Sequence, residues 1–252
     1  MILKANEQEL KFLEFDTSKF DRVFLALSGG TDSAMILYLL CKYKPDWKII
    51  CHTGIDKHKD PWVGEYASEI VELMKKKFPD VDIIHEQYKF DSLDSTTLYY
   101  AKKEWDAKED KSILPTAVGY SKAFAANDIK SELRIKYDIK LSIHGITANP
   151  PLDVQKELGF DKVAEPRRNK TYDEETWKKS GKMHYRPFVN VDKKFVADLY
   201  KQFDLMDDLF PLTMSCIGFD YQTNYFTEPC KKCYWCHEKK WAFGCYDGGL
   251  LE

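Results

Sequence analysis

Six consecutive residues, Ser28-Gly29-Gly30-Thr31-Asp32-Ser33, have the types and spacing needed to hold a phosphate. They follow the apolar run Val23-Phe24-Leu25-Ala26-Leu27 and precede Ala34-Met35-Ile36-Leu37-Tyr38-Leu39-Leu40-Cys41. That order reads as a buried strand, a glycine turn and the first turn of a buried helix. The first N–H groups of such a helix have no internal partner, and the helix dipole favours negative charge there. Two glycines let the backbone curl around an anion, and Ser28, Thr31 and Ser33 add hydroxyl donors. The stretch lacks the Lys-Ser/Thr pair of a Walker A loop and the three spaced glycines of a dinucleotide fingerprint. Asp32 is the odd member, because a carboxylate beside phosphates repels them unless a cation stands between. A bound Mg²⁺ is therefore expected, with Asp32 as a ligand or as the holder of a water ligand. The plainer alternative is a tight turn in which Asp32 and Ser33 only cap the helix.

A second constellation lies near the C-terminal end: Cys216, then Cys230-Lys231-Lys232-Cys233-Tyr234-Trp235-Cys236. Four thiols within one supersecondary unit can meet at a tetrahedral point, which is how structural Zn²⁺ is held. The rival is an iron–sulfur cluster, since ferredoxin-like runs share the C-x-x-C-x-x-C spacing. Those runs add a fourth Cys directly afterwards, followed by Pro; here the fourth thiol is upstream and Pro229 precedes the set. His237 adjoins Cys236 and reads as a bystander. Cys41 and Cys51 read as core residues, and Cys245 falls outside the group.

The elements that must position these groups follow from hydrophobic patterning. Arg22–Leu27, Trp47–Cys51, Val81–His85 and Ile139–His144 read as buried parallel strands, and Asp32–Tyr43, Val63–Phe78, Ser121–Tyr137 and Val191–Phe203 as helices. The expected fold is α/β, a doubly wound parallel sheet, with a small zinc-binding segment at residues 212–252 following a phosphate-binding unit at 1–211. Ser28, Cys51-His52-Thr53-Gly54 and Gly145-Ile146-Thr147 should then meet at the carboxyl edge of the strands. Asp91–Lys111 reads as a polar helical insertion, and Asn149–Lys182 as a long excursion of the kind that forms substrate loops. A net charge of −3 argues against a nucleic-acid-binding surface. With no apolar run long enough for a bilayer and seven cysteines, odd in number and mostly clustered, a reducing cytoplasm is expected.

Ser-Gly-Gly-x-Asp-Ser resembles the pyrophosphate loop of the ATP pyrophosphatases, enzymes that cut ATP between its α- and β-phosphates. With the cysteine tail added, the chain resembles the 7-cyano-7-deazaguanine synthase family. The matching residues are Ser215-Cys216-Ile217-Gly218, then Pro229-Cys230, Cys233 and Cys236, then the basic aromatic stretch Lys239-Lys240-Trp241-Ala242-Phe243. Arg186-Pro187-Phe188 and Leu212-Thr213 look like that family's approach to its zinc site. The resemblance implies a Rossmann-like sheet of the adenine nucleotide alpha hydrolase type, with ATP held by Ser28, Gly29, Gly30, Thr31, Asp32 and Ser33. It further implies chemistry assisted by Asp32, Ser33 and Mg²⁺, and Zn²⁺ on Cys216, Cys230, Cys233 and Cys236. The implied partners are a deazapurine carboxylic acid and ammonia, with no membrane or stable nucleic-acid partner, in a homodimer. A carboxylate would be adenylated, aminated to an amide and, after a second activation, dehydrated to a nitrile.

The chain departs from the family where substrate would be held: at Cys51–Asp56, Leu114–Ala117 and Thr147–Asp153. Three alternatives therefore stand beside that activity. One is a pyrophosphatase-type enzyme acting on a different acid. A second is a sulfurtransferase or sulfonucleotide-reductase relative, for which Cys51 would be the thiol placed near the cleft. The third is a non-catalytic nucleotide-binding module. His52 and His144 stand where they could touch a ligand, and Arg167 and Arg186 are candidate partners for phosphate or carboxylate.

Overall fold

The computed structural model describes residues 1–57, 61–91, 99, 103, 129–158, 182–218 and 222–249. Its centre is a five-stranded parallel sheet built from β3 (Arg22–Ala26), β4 (Lys48–Asp56), β5 (Ile83–Phe90), β6 (Leu141–His144) and β7 (Met183–Tyr185), in the spatial order β5-β4-β3-β6-β7. An N-terminal hairpin, β1 (Ile2–Ala5) and β2 (Gln8–Lys11), forms a separate antiparallel pair.

The chain leaves β3 through α1 (Thr31–Tyr43) to β4, and β4 through α2 (Val63–Lys77) to β5. It then returns across the sheet to β6, preceded by a helix over residues 129–136 (α3). Strand order thus reverses between β3 and β6, which opens a crevice at their carboxyl ends.

The alternation of side chains along the strands divides the core in two. Leu25, Cys51, Ile143 and Tyr185 face α1, α2 and α5 (Lys193–Gln202) in the larger core. Phe24 and Ile50 face Ile129 and Leu133 of α3 in a smaller one. Helix α1 is buried from Ser33 to Cys41, as its uninterrupted apolar sequence requires.

The four expected strands are present. β4 continues past Cys51 to Asp56, because it pairs with β5 over eight positions out to Asp56 and Phe90. The helix expected from Val191 begins at Lys193, where Asp192 caps it by accepting from the Phe195 N–H at 3.2 Å. Three strands were not anticipated: β1, β2 and β7. The hairpin turns through Asn6 and Glu7, both at positive φ, and its Leu3, Ala5 and Leu10 join the larger core. The Tyr185 hydroxyl ties it to β7, accepting from Leu13 N–H at 2.9 Å and donating to the Lys11 carbonyl at 3.2 Å. Within Asn149–Lys182 the described part holds a short helix, α4 (Leu152–Glu157). The Asp91–Lys111 insertion (except Asp91, Tyr99 and Lys103), the start of the helix expected from Ser121, and Leu114–Ala117 lie outside the described residues, as does Arg167.

The tail, with α6 (Tyr234–Phe243), packs back on the sheet's helices. Phe243 stacks on Phe210 at 4.7 Å and meets Tyr200 of α5 edge-on at 5.5 Å. Among the described residues no helix is long and apolar enough to cross a membrane.

Candidate nucleotide cleft and metal centre

A cleft of about 360 Å³ opens at the reversal point, lined by the loop, by β4 and β6 ends, and by Met214-Ser215-Cys216-Ile217 of the tail. The loop takes its shape from its own hydroxyls. Ser33 Oγ donates to the Gly30 carbonyl at 3.1 Å and accepts from Ser28 N–H at 3.2 Å, while the Ser28 and Ser33 hydroxyls lie 3.2 Å apart. These two side chains, expected as phosphate donors, are engaged in holding the turn. Gly29 sits at φ +73°, a conformation costly for any other residue, with the backbone and Cβ of α2 close against it. Gly30 caps α1 without a side-chain hydrogen bond, so the dipole end of a buried helix faces the cleft with no capping oxygen on it.

Asp32 has a partner that the sequence did not disclose. Lys193, the first residue of α5, donates from Nζ to Asp32 Oδ2 at 2.6 Å and stands 3.8 Å from Glu238 Oε2. All three side chains are largely buried, at 13%, 5% and 0% exposure for Asp32, Lys193 and Glu238. A fixed ammonium therefore already offsets the carboxylate, which corrects the premise that a bound cation must do so alone. Asp32 Oδ1 is buried and without a hydrogen-bond partner among the described residues, so the carboxylate keeps one oxygen for a hard cation such as Mg²⁺. Thr31 Oγ1 is likewise buried and unpartnered.

Gly145 closes the cleft from the β6 side. A Cβ there would stand 2.8 Å from Ser33 N and 3.0 Å from the Asp32 carbonyl carbon, both backbone atoms of the first turn of α1. Gly145→Ala should therefore push the β6 edge off the loop. We expect a loss of about 1–3 kcal/mol in stability together with weakened ATP binding. Unchanged denaturation midpoint and ATP affinity would contradict this close approach.

His52 and His144 both reach the strand ends. His52 is 3% exposed, lines the cleft and stacks on Phe24 at 5.6 Å; its Nε2 has no partner among the described residues. Burial, followed by the charge of Lys130, lowers its pKa to about 4. His144 is lowered to about 3 by burial and then by the neighbouring cations. Both rings are thus neutral in the folded chain, while the unfolded chain takes up protons below the ordinary value near 6.5. Stability should be level above about pH 6.5 and fall as pH drops toward 4, by up to about 3 kcal/mol for His52. Denaturant midpoints measured across that range test this, and His52→Phe should reduce the slope. A midpoint that stays flat to pH 4 would rule out a buried neutral ring.

Cys51 lies on the opposite sheet face, fully buried, and desolvation raises its thiol far above the normal range. It cannot serve as a cleft nucleophile.

The four tail cysteines come together. Their sulfurs all lie within 4.8 Å of one another, with Cys230 and Cys236 at 3.9 Å. A tetrahedral ion with metal–sulfur bonds near 2.3 Å needs sulfurs about 3.8 Å apart, so this set fits a single ion. Backbone N–H groups of Gly218 and Cys230 donate to Cys216 Sγ at 3.3 and 3.2 Å, and Cys233 N–H donates to Cys230 Sγ at 3.3 Å. Such donors spread the charge that four thiolates would concentrate.

The centre is joined to the loop through Thr213–Cys216. Met214 N–H donates to the Gly29 carbonyl at 2.9 Å. Asp247 Oδ2 accepts from the N–H groups of Ser215 and Cys216, each at 2.9 Å, and its Oδ1 is paired with the fully buried Lys239. Lys239 also donates to the Thr213 carbonyl and hydroxyl at 3.1 and 3.0 Å. Burial lowers the Lys239 pKa, and Asp247 opposes that shift. From the sequence Lys239 stood out only as part of a basic aromatic stretch, and Asp247 did not stand out at all.

No protein-family model and no curated protein matches the chain. Among solved structures it is similar to NMN synthetase from Francisella tularensis, with 15% identity, 87% of this chain and 75% of that chain covered, and a TM-score of 0.47. It is also similar to the U34-tRNA thiolase NcsA from Methanococcus maripaludis, described with its [4Fe-4S] cluster (16%, 73% and 56%, TM-score 0.41). A third is a predicted subunit of tRNA methyltransferase from Methanocaldococcus jannaschii (14%, 71% and 74%, TM-score 0.39). What the site can do is carried by its own residues.

Proposed function

We propose that the chain binds ATP on the Ser28–Ser33 loop and transfers its adenylyl group to an acid, releasing pyrophosphate. The observation that carries this reading is the convergence of an uncapped buried helix end, the Asp32–Lys193 pair and the cleft of about 360 Å³ that opens on both. A carboxylate is a poor electrophile; attack of its oxygen on the α-phosphorus, with pyrophosphate leaving, turns it into an acyl adenylate. Ammonia then attacks the acyl carbon and AMP departs, leaving an amide. A second ATP adenylates the amide oxygen and releases pyrophosphate, and loss of AMP and two protons then gives a nitrile. Mg²⁺, when bound, would neutralise charge on the departing pyrophosphate, and Asp32 is the residue that would hold it. Lys193 fixes the Asp32 carboxylate in place, and the α1 amides stabilise the charge that develops on the phosphates.

The first acid to test is 7-carboxy-7-deazaguanine, giving 7-cyano-7-deazaguanine. Ser215-Cys216-Ile217 and Trp235 of the tail, with Phe90 of β5, would supply the apolar walls for a flat heterocycle. Zn²⁺ on Cys216, Cys230, Cys233 and Cys236 would hold that wall. The compact sulfur set favours one ion over a cluster, in which each thiolate binds a different iron and the sulfurs stand farther apart. Incubating the protein with ATP, Mg²⁺, ammonium and this acid, and analysing the small molecules by mass spectrometry, tests the reading. Amide or nitrile with AMP and pyrophosphate is expected. AMP and pyrophosphate with the base unchanged would keep the adenylation step and exclude this acid, and ATP bound but uncut would point to a nucleotide-binding module.

A further inference from the structure

The sheet face turned toward α3 changes character at its carboxyl edge. Lower down it is apolar, with Phe24 and Ile50, but at the edge it becomes basic. Strand register sets Ala26 of β3 between His52 of β4 and His144 of β6. His184 of β7, opposite Ser142, stacks against His144 at 5.9 Å with the rings 22° from parallel. Arg186 follows β7 by one residue. From above, α3 brings Lys130 to the cleft wall and Arg134 over Phe24, 5.8 Å from its ring, with Nε donating to Ser142 Oγ at 3.3 Å.

Among the described residues, six basic or imidazole groups thus share one edge, while the other face of these strands is mostly apolar and carries no charged side chain at that edge beyond β5. Among the described residues, the charges that act on His144 after burial are those of Lys130, His184, Arg186 and Arg134, all of one sign. Lys130 is itself lowered by burial and then by Arg134. Glu86, which acts on His52 with the opposite sign, is already engaged by Lys136 at 2.5 Å and by the Tyr137 hydroxyl. An anion brought among these partly buried like charges would be held by them. The buried Nε2 of His52, a residue 3% exposed at the cleft wall, has no partner among the described residues and independently marks a place for a ligand's polar atom.

We propose that this strip is the subsite for the anionic group of the second substrate, a carboxylate or a phosphate, bound beside the nucleotide. The assignment rests on reading the loop as an ATP site. A phosphate on Ser28–Ser33 would face the His52 and Lys130 end of the strip, which lines the same cleft, whereas His144, His184 and Arg186 extend it along β6 and β7.

The test follows the histidine imidazole resonances of the full chain by NMR. The protein is first saturated with α,β-methylene ATP so that the loop is filled, then titrated separately with benzoate, benzamide and inorganic phosphate. A saturable shift of the His52 and His144 signals with benzoate, phosphate or both, and none with benzamide, is the expected result. Benzoate alone would assign a carboxylate, phosphate alone a phosphorylated substrate. Lys130→Met and Arg186→Gln should each weaken the anion by about tenfold, the loss of one charge-assisted hydrogen bond. No saturable shift with either anion, or an equal shift with benzamide, overturns the proposal, and that comparison needs no variant. Failure of the ATP analogue to bind would instead overturn the reading of the loop.

Discussion

Lys193→Met is expected to abolish most ATP cleavage, lowering turnover by about 100-fold or more, and to destabilise the chain by about 3 kcal/mol. The two losses have one origin. Removing the ammonium leaves Asp32 and Glu238, both buried, without the cation that stands 2.6 and 3.8 Å from them. The stability loss is therefore the cost of stranded charge, while the loss of turnover reflects a misplaced Asp32 beside phosphates. The double variant Lys193→Met/Asp32→Asn separates them. It should regain a large part of the stability, because one stranded charge is gone, and remain inactive. Lys193→Arg, too bulky for the same single contact, should keep the fold better than it keeps turnover. Equal turnover in Lys193→Met and wild type would remove this residue from the account.

Stripping the metal proposed for the four tail cysteines is expected to have the second large effect. Cys216→Ser, or chelation of the wild-type chain, should release one metal ion per chain and sharply lower the thermal midpoint, since a structural zinc site contributes about 10 kcal/mol. The consequence reaches the cleft, because Met214–Ile217 lines it and Met214 N–H holds the Gly29 carbonyl at 2.9 Å. ATP affinity should fall at least tenfold in the metal-free chain, about 1.4 kcal/mol. Colorimetric zinc release read beside calorimetric ATP titration checks both. A visible absorption band in the isolated protein would replace zinc with an iron–sulfur cluster. A metal-free chain with the same midpoint and ATP affinity would disconnect the tail from the loop.

What could be read from the sequence had local causes. The loop declares itself by six contiguous residues between two apolar runs, and the cysteines by regular spacing. β3 and the first half of β4 are continuous apolar segments, which suits strands buried on both faces, while β5 and β6 carry shorter apolar stretches, Ile83-Ile84 and Leu141 with Ile143. The contacts that organise the site are not local. Lys193 and Asp32 are 161 residues apart, and Lys193 reads as one more charge at the start of an amphipathic helix. Its position held a clue: a lysine at the first turn opposes the helix dipole, so burying it there requires a carboxylate from elsewhere. Asp247 looks like part of a loose Asp-Gly-Gly end, yet it is fully buried and holds two amides and Lys239. β7 has three residues, too few for a period to show. The first hairpin turns on Asn6-Glu7, in which glutamate replaces the glycine that announces such turns.

The central claim, that an acid is activated by adenylyl transfer on the Ser28–Ser33 loop, is tested most directly by isotope exchange. Labelled pyrophosphate is added with ATP, Mg²⁺ and a candidate acid, without ammonia, and label entering ATP is measured. Acid-dependent exchange, lost in Lys193→Met, is predicted. Formation of ADP and phosphate would contradict the account, because it would place the break at the β–γ bond.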